Sequence, residues 1–232
     1  MLIKQKNIIL SLDDFGISQK ANENMLQLLE TGKIDRISIM PHGRIAIREI
    51  EKILASNVKL DIHIDLRNDI DPNRKIKDGV FKRVISFGFN YCSGRTNPAS
   101  MQKQWEGQIE HFRELFGKSP DGISSHQHVH FFPPYFKIVI VLSKKYGINY
   151  LRLGTESYPL RSLVCFILNS FRRSNRKLFL ASKLASSDLM ISFDWLENFN
   201  KIFKLPLNKE SEVIFHPERD EEMEFLERFI KQ

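Results

Sequence analysis

Two adjacent aspartates and a scattered set of histidines are the residues of this chain whose types suit joint chemistry. Asp13 and Asp14 lie near its start, and His63, His126 and His216 follow at wide intervals. Carboxylate oxygen and imidazole nitrogen bind divalent metals, and the same groups serve as bases and acids. The residue types therefore predict a metal site with acid–base groups beside it, provided that the fold brings them together.

The Asp13-Asp14 pair directly follows a short apolar run. Neighbouring residues at the end of a strand point in different directions. One carboxylate can therefore bind a metal while the other faces a water as general base. The alternative is a helix N-cap or a turn, where aspartate is also favoured, and Phe15-Gly16 is compatible with such a turn.

His63 lies in the alternating run DIHID. With a period of two, Asp61, His63 and Asp65 share one face of a strand. Such a polar row inside a barrel would be costly unless it lined a site. A solvent-facing edge strand is the alternative.

The stretch SHQHVH, residues 125–130, contains three histidines at alternate positions. In an extended strand, His126, His128 and His130 would share a face, whereas in a turn only one or two would reach a common metal. One carboxylate with two imidazoles is a known type of open catalytic site. A purely structural cluster is the alternative.

Three further residues follow predicted strands. Pro217 restrains His216 to an extended backbone, so His216 could serve as general acid to a leaving group. Arg152 could bind a substrate or orient a carboxylate, and a surface ion pair is its alternative. His42 also lies at a strand end.

The elements that must position these residues alternate between strand and helix patterns. The predicted strands are Asn7–Leu12, Ile37–Met40, Val58–Leu66, Gly122–Ser125, Tyr150–Leu153 and Ser211–Phe215. The predicted helices are Ser18–Thr31, Arg44–Ser56, Ser100–Phe116, Pro134–Tyr146 and Asp220–Ile230. Residues 67–98 read as a long connection of the kind that carries substrate contacts. The pattern assigns no element to residues 155–183.

Repeated βα units predict parallel strands with helices outside. The 232 residues form one domain by this interpretation and fall slightly short of the roughly 250 of a full eight-unit barrel. We expect a TIM-barrel-like (β/α) barrel, distorted or incomplete, with an open doubly wound sheet as the alternative. Six of the seven histidines lie at or just after a predicted strand, and in such folds the carboxyl ends of the strands open onto the site.

Composition and cysteine usage predict where the protein works. Cys92 and Cys165 lie far apart, which favours free thiols in a reducing compartment. The first residues show no secretory signal, and the longest apolar patch, residues 160–171, is shorter than the roughly 20 residues of a membrane span. The expectation is a cytoplasmic protein.

The formal net charge is +7, and a basic cluster follows the apolar patch. Its members are Arg172, Arg173, Arg176, Lys177 and Lys183. A solvated helix face is one interpretation, and a weak contact of residues 160–183 with an anionic membrane is another. No nucleic-acid motif or aromatic–basic interleaving is present, so we expect no nucleic-acid partner.

Four motifs together resemble the YdjC-like (ChbG-type) carbohydrate deacetylases. The run LDDFGIS, residues 12–18, is similar to that family's Ala-Asp-Asp-Phe-Gly-Leu-Ser, and SHQHVHFFP, residues 125–133, to its Asp-Ser-His-His-His-Val-His-x-x-Pro. IHIDL, residues 62–66, and FHP, residues 215–217, resemble its Gly-x-His-x-x-Leu and Cys-His-Pro-Gly. The chain departs from the family pattern at four positions: His42, Ser124, Gln127 and Glu218.

The resemblance implies a TIM-barrel-like fold, often dimeric, with one divalent metal: zinc or magnesium, or alternatively cobalt or nickel. It implies hydrolysis of the N-acetyl group of an acetylated amino sugar, such as a chitooligosaccharide. Asp14, His63 and His126 would be the metal ligands, Asp13 the base and His216 the acid. We assign substrate binding to four side chains around them: His42, His128, His130 and Arg152.

Two other functions fit the same residues. A metal-dependent phosphoesterase would use the same ligand set, and the basic surface would suit a phosphate. A membrane-peripheral, sugar-binding protein with a decayed site is the other alternative, because apolar and basic helices can lie on anionic membranes.

Overall fold

The fold is that of a computed structural model, which describes residues 7–66, 91, 93, 97–157, 163–196 and 205–231. The strands are β1 (Ile8–Phe15), β2 (Arg36–Ile39), β3 (Lys59–Ile64), β4 (Gly122–Ser125), β5 (Tyr150–Leu151), β6 (Leu189–Ser192) and β7 (Ser211–Phe215). The helices are α1 (Gln19–Leu29), α2 (Ile47–Ala55), α3 (Pro98–Phe116), α4 (Pro133–Tyr146), α5 (Leu163–Ser182) and α6 (Asp220–Lys231). Short 3₁₀ turns follow β4 at His126–Phe131 and β6 at Phe193–Trp195.

The strands form one parallel sheet in the order β5-β4-β3-β2-β1-β7-β6. A contact across the sheet shows that it curls. Arg152, directly after β5, donates to Glu212 of β7 at 2.7 Å, although four strands lie between β5 and β7. Backbone hydrogen bonds join the β5 edge to the segment leading into β6: Leu151 to Ala185, Thr155 to Ser187 and Glu156 to Asp188. The predicted barrel-like α/β fold with parallel strands is thereby confirmed, and the alternative of an open doubly wound sheet is wrong.

Residues pointing out of the barrel are apolar and pack under the helices. Alternate positions of the strands supply this layer: Leu10, Leu12, Ile37, Ile39, Leu60, Ile62, Ile123, Leu151, Val213 and Phe215. They belong to one continuous buried cluster with the inner faces of the helices. Burial of this apolar surface is the main force that holds helices against the sheet.

Residues pointing into the barrel are mostly polar or charged. The buried inner set is Ser11, Asp13, Arg36, Ser38, Asp61, His63, Ser124, Arg152 and Glu212. Arg36 donates to both oxygens of Asp61, at 2.8 and 2.5 Å, so that each buried charge has a partner. The ion pair with Arg36 explains why Asp61 can be buried without being part of a functional site. His63, on the same face of the strand, does belong to the candidate site.

Two elements were not predicted from the sequence, and a third extends further than predicted. The unassigned region contains a 20-residue helix, α5, and the strand β6 was not predicted. A four-residue apolar run such as Leu189–Ser192 gives no periodicity of its own, and only its pairing with β7 makes it a strand. The strand β1 also continues through the aspartate pair instead of ending before it.

Other predictions meet the structure in part. Ser18 caps α1 as expected, because its hydroxyl accepts from the Ala21 amide at 3.1 Å. Cys165 is buried, while Cys92 and most of the long connection 67–98 lie outside the described residues. In the described parts of the chain, no helix is both long and apolar enough to cross a membrane.

Candidate metal centre

The Asp13-Asp14 pair lies on an irregular stretch of β1. The register with β2 shifts between Leu12 and Phe15, and Asp14 has a φ of 72°. In a regular strand these neighbours would face opposite sides of the sheet. The bulge at Asp14 instead lets both carboxylates face the carboxyl end of the barrel.

Two glycines lock the loop that follows this bulge. Gly16 has a φ of 100°, and its amide donates to Asn22 at 2.7 Å. A Cβ on Gly43 would lie only 2.4 Å from the Gly16 carbonyl oxygen. The loop after β2 therefore packs directly on the loop after β1, which fixes the backbone beneath Asp14.

Asp14, His63 and His126 converge at the carboxyl ends of β1, β3 and β4. Asp14 Oδ1 lies 3.1 Å from His63 Nε2 and 3.0 Å from His126 Nδ1. The three donor atoms lie within 4.8 Å of one another, and no other such group occurs in the described part of the chain. Burial alone would raise the pKa of Asp14, but His126 and His63 lower it well below its usual value.

Ser124 stands behind His63. Its hydroxyl lies 2.7 Å from His63 Nδ1 and donates its own proton to Ser38, at 3.0 Å, or to the Ile62 carbonyl. With Ser124 as the acceptor from the Nδ1–H of His63, the Nε2 that faces Asp14 is the nitrogen available to a metal. At this departure from the family pattern, a hydroxyl supplies the supporting hydrogen bond.

Asp13 is held by Arg152. Arg152 Nη1 donates to Asp13 Oδ1 at 2.5 Å, and the other oxygen of Asp13 lies 3.8 Å from His63 Nδ1. Burial would raise the pKa of Asp13, but the charges of Arg152, His63 and His216 lower it to about 2. The carboxylate is thus ionised at neutral pH, with one oxygen anchored.

Arg152 itself lies deep in the barrel. Its Nε donates to Glu212 at 2.7 Å and its Nη2 to Ser38 at 2.9 Å, and only 1% of the residue is exposed. Of the two roles predicted for Arg152, these contacts support orientation of a carboxylate. The guanidinium has no exposed surface with which to meet a substrate.

His216 lies beside the aspartates and is backed by α6. Glu222 accepts from the His216 amide at 2.8 Å, and its carboxylate lies 3.4 Å from His216 Nδ1. Burial would lower the pKa of His216, but the hydrogen bond with Glu222 and the charges of Asp14 and Glu222 raise it to about 9. His216 therefore carries a proton at neutral pH.

His128 lies in the turn after β4 with an aromatic neighbour from the turn after β6. Its ring contacts Trp195 edge-on at 5.1 Å between centroids. Gln127 and His128 both have positive φ, so the turn is not a strand and its histidines do not share one face. Burial lowers the pKa of His128 to about 4, against the opposing charges of Asp13 and Asp194.

His130 supports the turn from below. Its Nδ1 pairs with the Ser125 hydroxyl at 2.5 Å, and its Nε2 lies 2.7 Å from the Arg152 carbonyl oxygen. The side chain has no exposed surface, and burial lowers its pKa to about 3. Both ring nitrogens of His130 are therefore already paired, and neither is free to make the predicted substrate contact. These contacts give the residue a structural role.

His42 lies on the surface of the loop after β2. Its ring stacks on His111 of α3, with centroids 4.9 Å apart and planes 10° from parallel. The exposed position is compatible with the predicted substrate contact, which stays a prediction.

Three site residues were missing from the sequence interpretation: Asp194, Trp195 and Glu222. Asp194 pairs with Arg219 at 2.9 Å, and burial would raise its pKa, but the charges of His216 and Arg219 lower it. Asp194 and Trp195 follow β6, so recognition of that strand would have drawn attention to them. Glu222 lies in the first turn of α6. Acidic residues are common there because they interact favourably with the helix dipole, so nothing in the sequence indicated a role in the site.

The fold and the strand-end cluster define a class: a parallel α/β barrel-like protein with an aspartate–histidine donor group at the carboxyl ends of its strands. The chain belongs to the YdjC-like family, whose model matches residues 7–231. The family resemblance stated from the four motifs is thereby confirmed.

Curated relatives are similar at low identity. A carbohydrate deacetylase of Mus musculus is 24% identical over 67% of this chain and 53% of its own length. One from Oceanobacillus iheyensis is 26% identical over 65% of this chain and 66% of its own. A chitooligosaccharide deacetylase of Citrobacter koseri is 24% identical over 66% of this chain and 61% of its own. The aligned part spans about half the length of the mouse relative.

Among solved structures, a protein from Enterococcus faecalis that has been proposed to cleave cellobiose phosphate superposes with a TM-score of 0.60. The match covers 91% of this chain and 80% of that one, at 18% identity. At this identity the likeness shows the shared fold.

Proposed function

We propose that this protein removes the N-acetyl group from acetylated amino sugars and that a divalent metal held by Asp14, His63 and His126 is required. The observation that carries the proposal is the juxtaposition of that donor group with an anchored, ionised Asp13 and a protonated His216. The names of the relatives, carbohydrate deacetylase and chitooligosaccharide deacetylase, support the substrate class.

The donor set fits a divalent transition metal. One carboxylate oxygen and two imidazole nitrogens match the three-ligand pattern of catalytic zinc sites, which keep a further position open. Magnesium prefers oxygen ligands, so zinc, cobalt or nickel suits this set better. When bound, such an ion polarises the amide carbonyl and acidifies a water, so that even a carboxylate as weakly basic as Asp13 can accept its proton.

The protein groups then divide the proton transfers between them. Asp13 Oδ2, the oxygen not bonded to Arg152, accepts a proton from the attacking water. His216 donates its proton to the nitrogen of the departing amine as the carbon–nitrogen bond breaks. The products are acetate and a free amino sugar. His128 and Trp195 lie beside these groups as a half-buried surface against which a sugar ring can pack.

The test is acetate release from a panel of N-acetylated mono- and oligosaccharides. The enzyme is stripped of metal and then reloaded with zinc, cobalt, nickel or magnesium. Asp13→Asn should lower kcat by about 10²- to 10⁴-fold, and His126→Ala should abolish metal binding as well as turnover. Asp220→Asn, on the exposed start of α6, is the matched control and should leave the rate unchanged.

Failure of the proposal has a distinct signature. Tight metal binding that requires His126, with no acetate released from any sugar, would contradict deacetylation. The same loaded enzyme is then assayed on a phosphate ester, because a phosphoesterase would use this donor set with a different substrate.

A further inference from the structure

The positive charge of this protein is concentrated in one part of its chain. Residues 122–187 contain ten lysines and arginines and a single acidic residue, Glu156. The rest of the chain contains 25 basic and 27 acidic residues. The net charge therefore comes from the stretch that forms α4 and α5, two helices that pack against each other.

The helix α5 exposes apolar and basic side chains on one face. Leu163, Phe166 and Leu180 are 55%, 70% and 63% exposed. Arg173 and Lys177 are exposed between them, and the spacing from Phe166 through both to Leu180 keeps all four on one side of the helix. We call this set the outer face of α5, which Arg176 and Lys183 flank.

The basic residues on and beside this face have no acidic partner among the residues that the structure describes. Neither Arg173, Arg176, Lys177 nor Lys183 forms an ion pair with any carboxylate in the described part of the chain, and α5 itself contains no acidic residue. Arg172, by contrast, is turned inward and donates to the Leu153 carbonyl at 3.1 Å. The outer face therefore offers uncompensated positive charge.

The inner face of α5 contacts the segments that follow β4 and β5, which carry His126 and Arg152. Asn175 donates to the Phe131 carbonyl at 2.7 Å, at the end of the histidine turn, and Arg172 holds the chain just after β5. Since α5 connects two parallel strands, it runs antiparallel to them and begins at their carboxyl ends. Leu163 and Phe166 therefore lie at the end of the helix nearest the site.

We propose that the outer face of α5 binds the surface of an anionic lipid bilayer, with Leu163 and Phe166 entering the headgroup region. Charge complementarity draws the four cations to anionic headgroups, and exposed leucine and phenylalanine side chains gain from burial at the interface. A nucleic acid would satisfy the cations but not the apolar side chains. The binding is peripheral, since α5 is too polar to cross a membrane.

The experiment is co-sedimentation of the full chain with vesicles of phosphatidylcholine alone or with about one third phosphatidylserine. The protein should bind the anionic vesicles, dissociate from them at high salt, and not bind the neutral vesicles. Neutralising Arg173, Arg176, Lys177 and Lys183 to glutamine should weaken binding about fivefold for each charge. Leu163→Ser with Phe166→Ser should weaken it while leaving the salt dependence intact.

Matched control substitutions lie on α2. Ile47 is 77% exposed, more than Phe166, and Arg48 and Lys52 are exposed beside it. Ile47→Ser with Arg48→Gln and Lys52→Gln should bind vesicles as the unaltered chain does. Circular dichroism checks that each variant is folded, and acetate release, which these surface changes should not alter in free solution, separates this proposal from the catalytic one.

Several outcomes would overturn the proposal. Equal binding to neutral and anionic vesicles, or undiminished binding by the four-charge variant, would exclude the outer face of α5 as the site. If Phe166→Ser instead converts a dimer into a monomer, the face is covered by a second copy of the chain. If duplex DNA binds with an affinity that Leu163→Ser and Phe166→Ser do not change, the basic side chains are a nucleic-acid site instead.

Discussion

At the scale of single residues, the donor group rests on buried side chains that lie behind it in the barrel. His63 is positioned by Ser124, His130 engages both Ser125 and the Arg152 carbonyl, and Asp13 is anchored by Arg152. Each of these supports satisfies a buried polar atom that would otherwise cost free energy. The candidate metal centre is therefore a preorganised layer resting on a second layer of hydrogen bonds.

Ser124→Ala removes the acceptor behind His63. We expect zinc affinity to fall by about 10- to 100-fold, because the Nδ1–H of His63 loses the partner that fixes its tautomer and orientation. Competition with a chromophoric chelator measures this affinity. Ser174→Ala, on the exposed side of α5, is the control, and equal affinities for the two variants would show that Ser124 does not position the ligand.

Glu222→Gln removes the negative charge next to His216. The pKa of His216, which the structure places at about 9, should fall, so the alkaline limb of kcat/KM should move to lower pH. A bound cation would offset the charge of Asp14. In the metal-loaded, unaltered enzyme we therefore expect the alkaline limb of kcat/KM at a pH below about 9. Glu221→Gln, exposed on the same turn, should leave the limb in place. A limb that neither variant moves would mean that another group is the acid.

At the scale of elements, the period-two alternation of the strands decides which side chains enter the barrel. Leu60, Ile62 and Ile64 of β3 face the helices, and Asp61 and His63 face inward. This much follows from the sequence pattern, as do the bounds of most helices to within a few residues. The sequence pattern assigned no element to residues 155–183, where α5 lies, and it did not predict β6, which is too short for a periodic signal and becomes a strand only beside β7.

Glu212 links three strands from inside the barrel. It accepts from Arg152 at 2.7 Å, from Tyr150 at 2.6 Å and from Ser11 at 2.6 Å, and it is fully buried. Glu212→Gln leaves Arg152 short of a counter-charge, so we expect the free energy of unfolding to fall by about 3 kcal/mol. Urea denaturation with a chelator present measures the change.

The control for Glu212 is its exposed neighbour. Glu210→Gln should change the free energy of unfolding by less than about 0.5 kcal/mol. If both substitutions cost the same, the buried ion network does not stabilise the barrel.

At the scale of the whole molecule, the buried histidines make stability depend on pH in both directions. His128 and His130 have lowered pKa values, about 4 and about 3, so the unfolded chain binds more protons than the folded one below about pH 6.5. Stability must therefore fall as the pH falls through this range. His216, with its pKa raised to about 9, contributes stability that is complete below about 6.5 and is lost as the pH rises toward 9.

We accordingly expect the metal-free protein to be most stable near pH 6.5 to 7, with a slope of about 1.4 kcal/mol per pH unit for each proton exchanged. Chemical denaturation across pH, with a chelator present, measures the profile. His130→Gln should flatten the acid side of the profile, whereas His111→Gln, on the partly exposed side of α3, should not. An acid slope that His130→Gln leaves unchanged would contradict the assignment.

The sequence by itself determined the class of fold and the family. Apolar alternation sets which face of each strand packs against the helices. Residues at the carboxyl ends of parallel strands must meet at one end of the barrel, however far apart they lie along the chain. Local spacing therefore placed the aspartate pair and the histidines at strand ends, and the family resemblance singled out Asp14, His63 and His126 among them as the proposed metal ligands.

Only the tertiary structure decided the partners across the barrel. Curling of the sheet brings Arg152 to Asp13 and Glu212, and the bulge at Asp14 turns two adjacent carboxylates toward one site. The positive φ of Gln127 and His128 sends His130 into the core, which strand periodicity could not anticipate. These contacts join residues from separate strands, and a periodic pattern along one chain holds no information about which side chains a closed sheet places opposite each other.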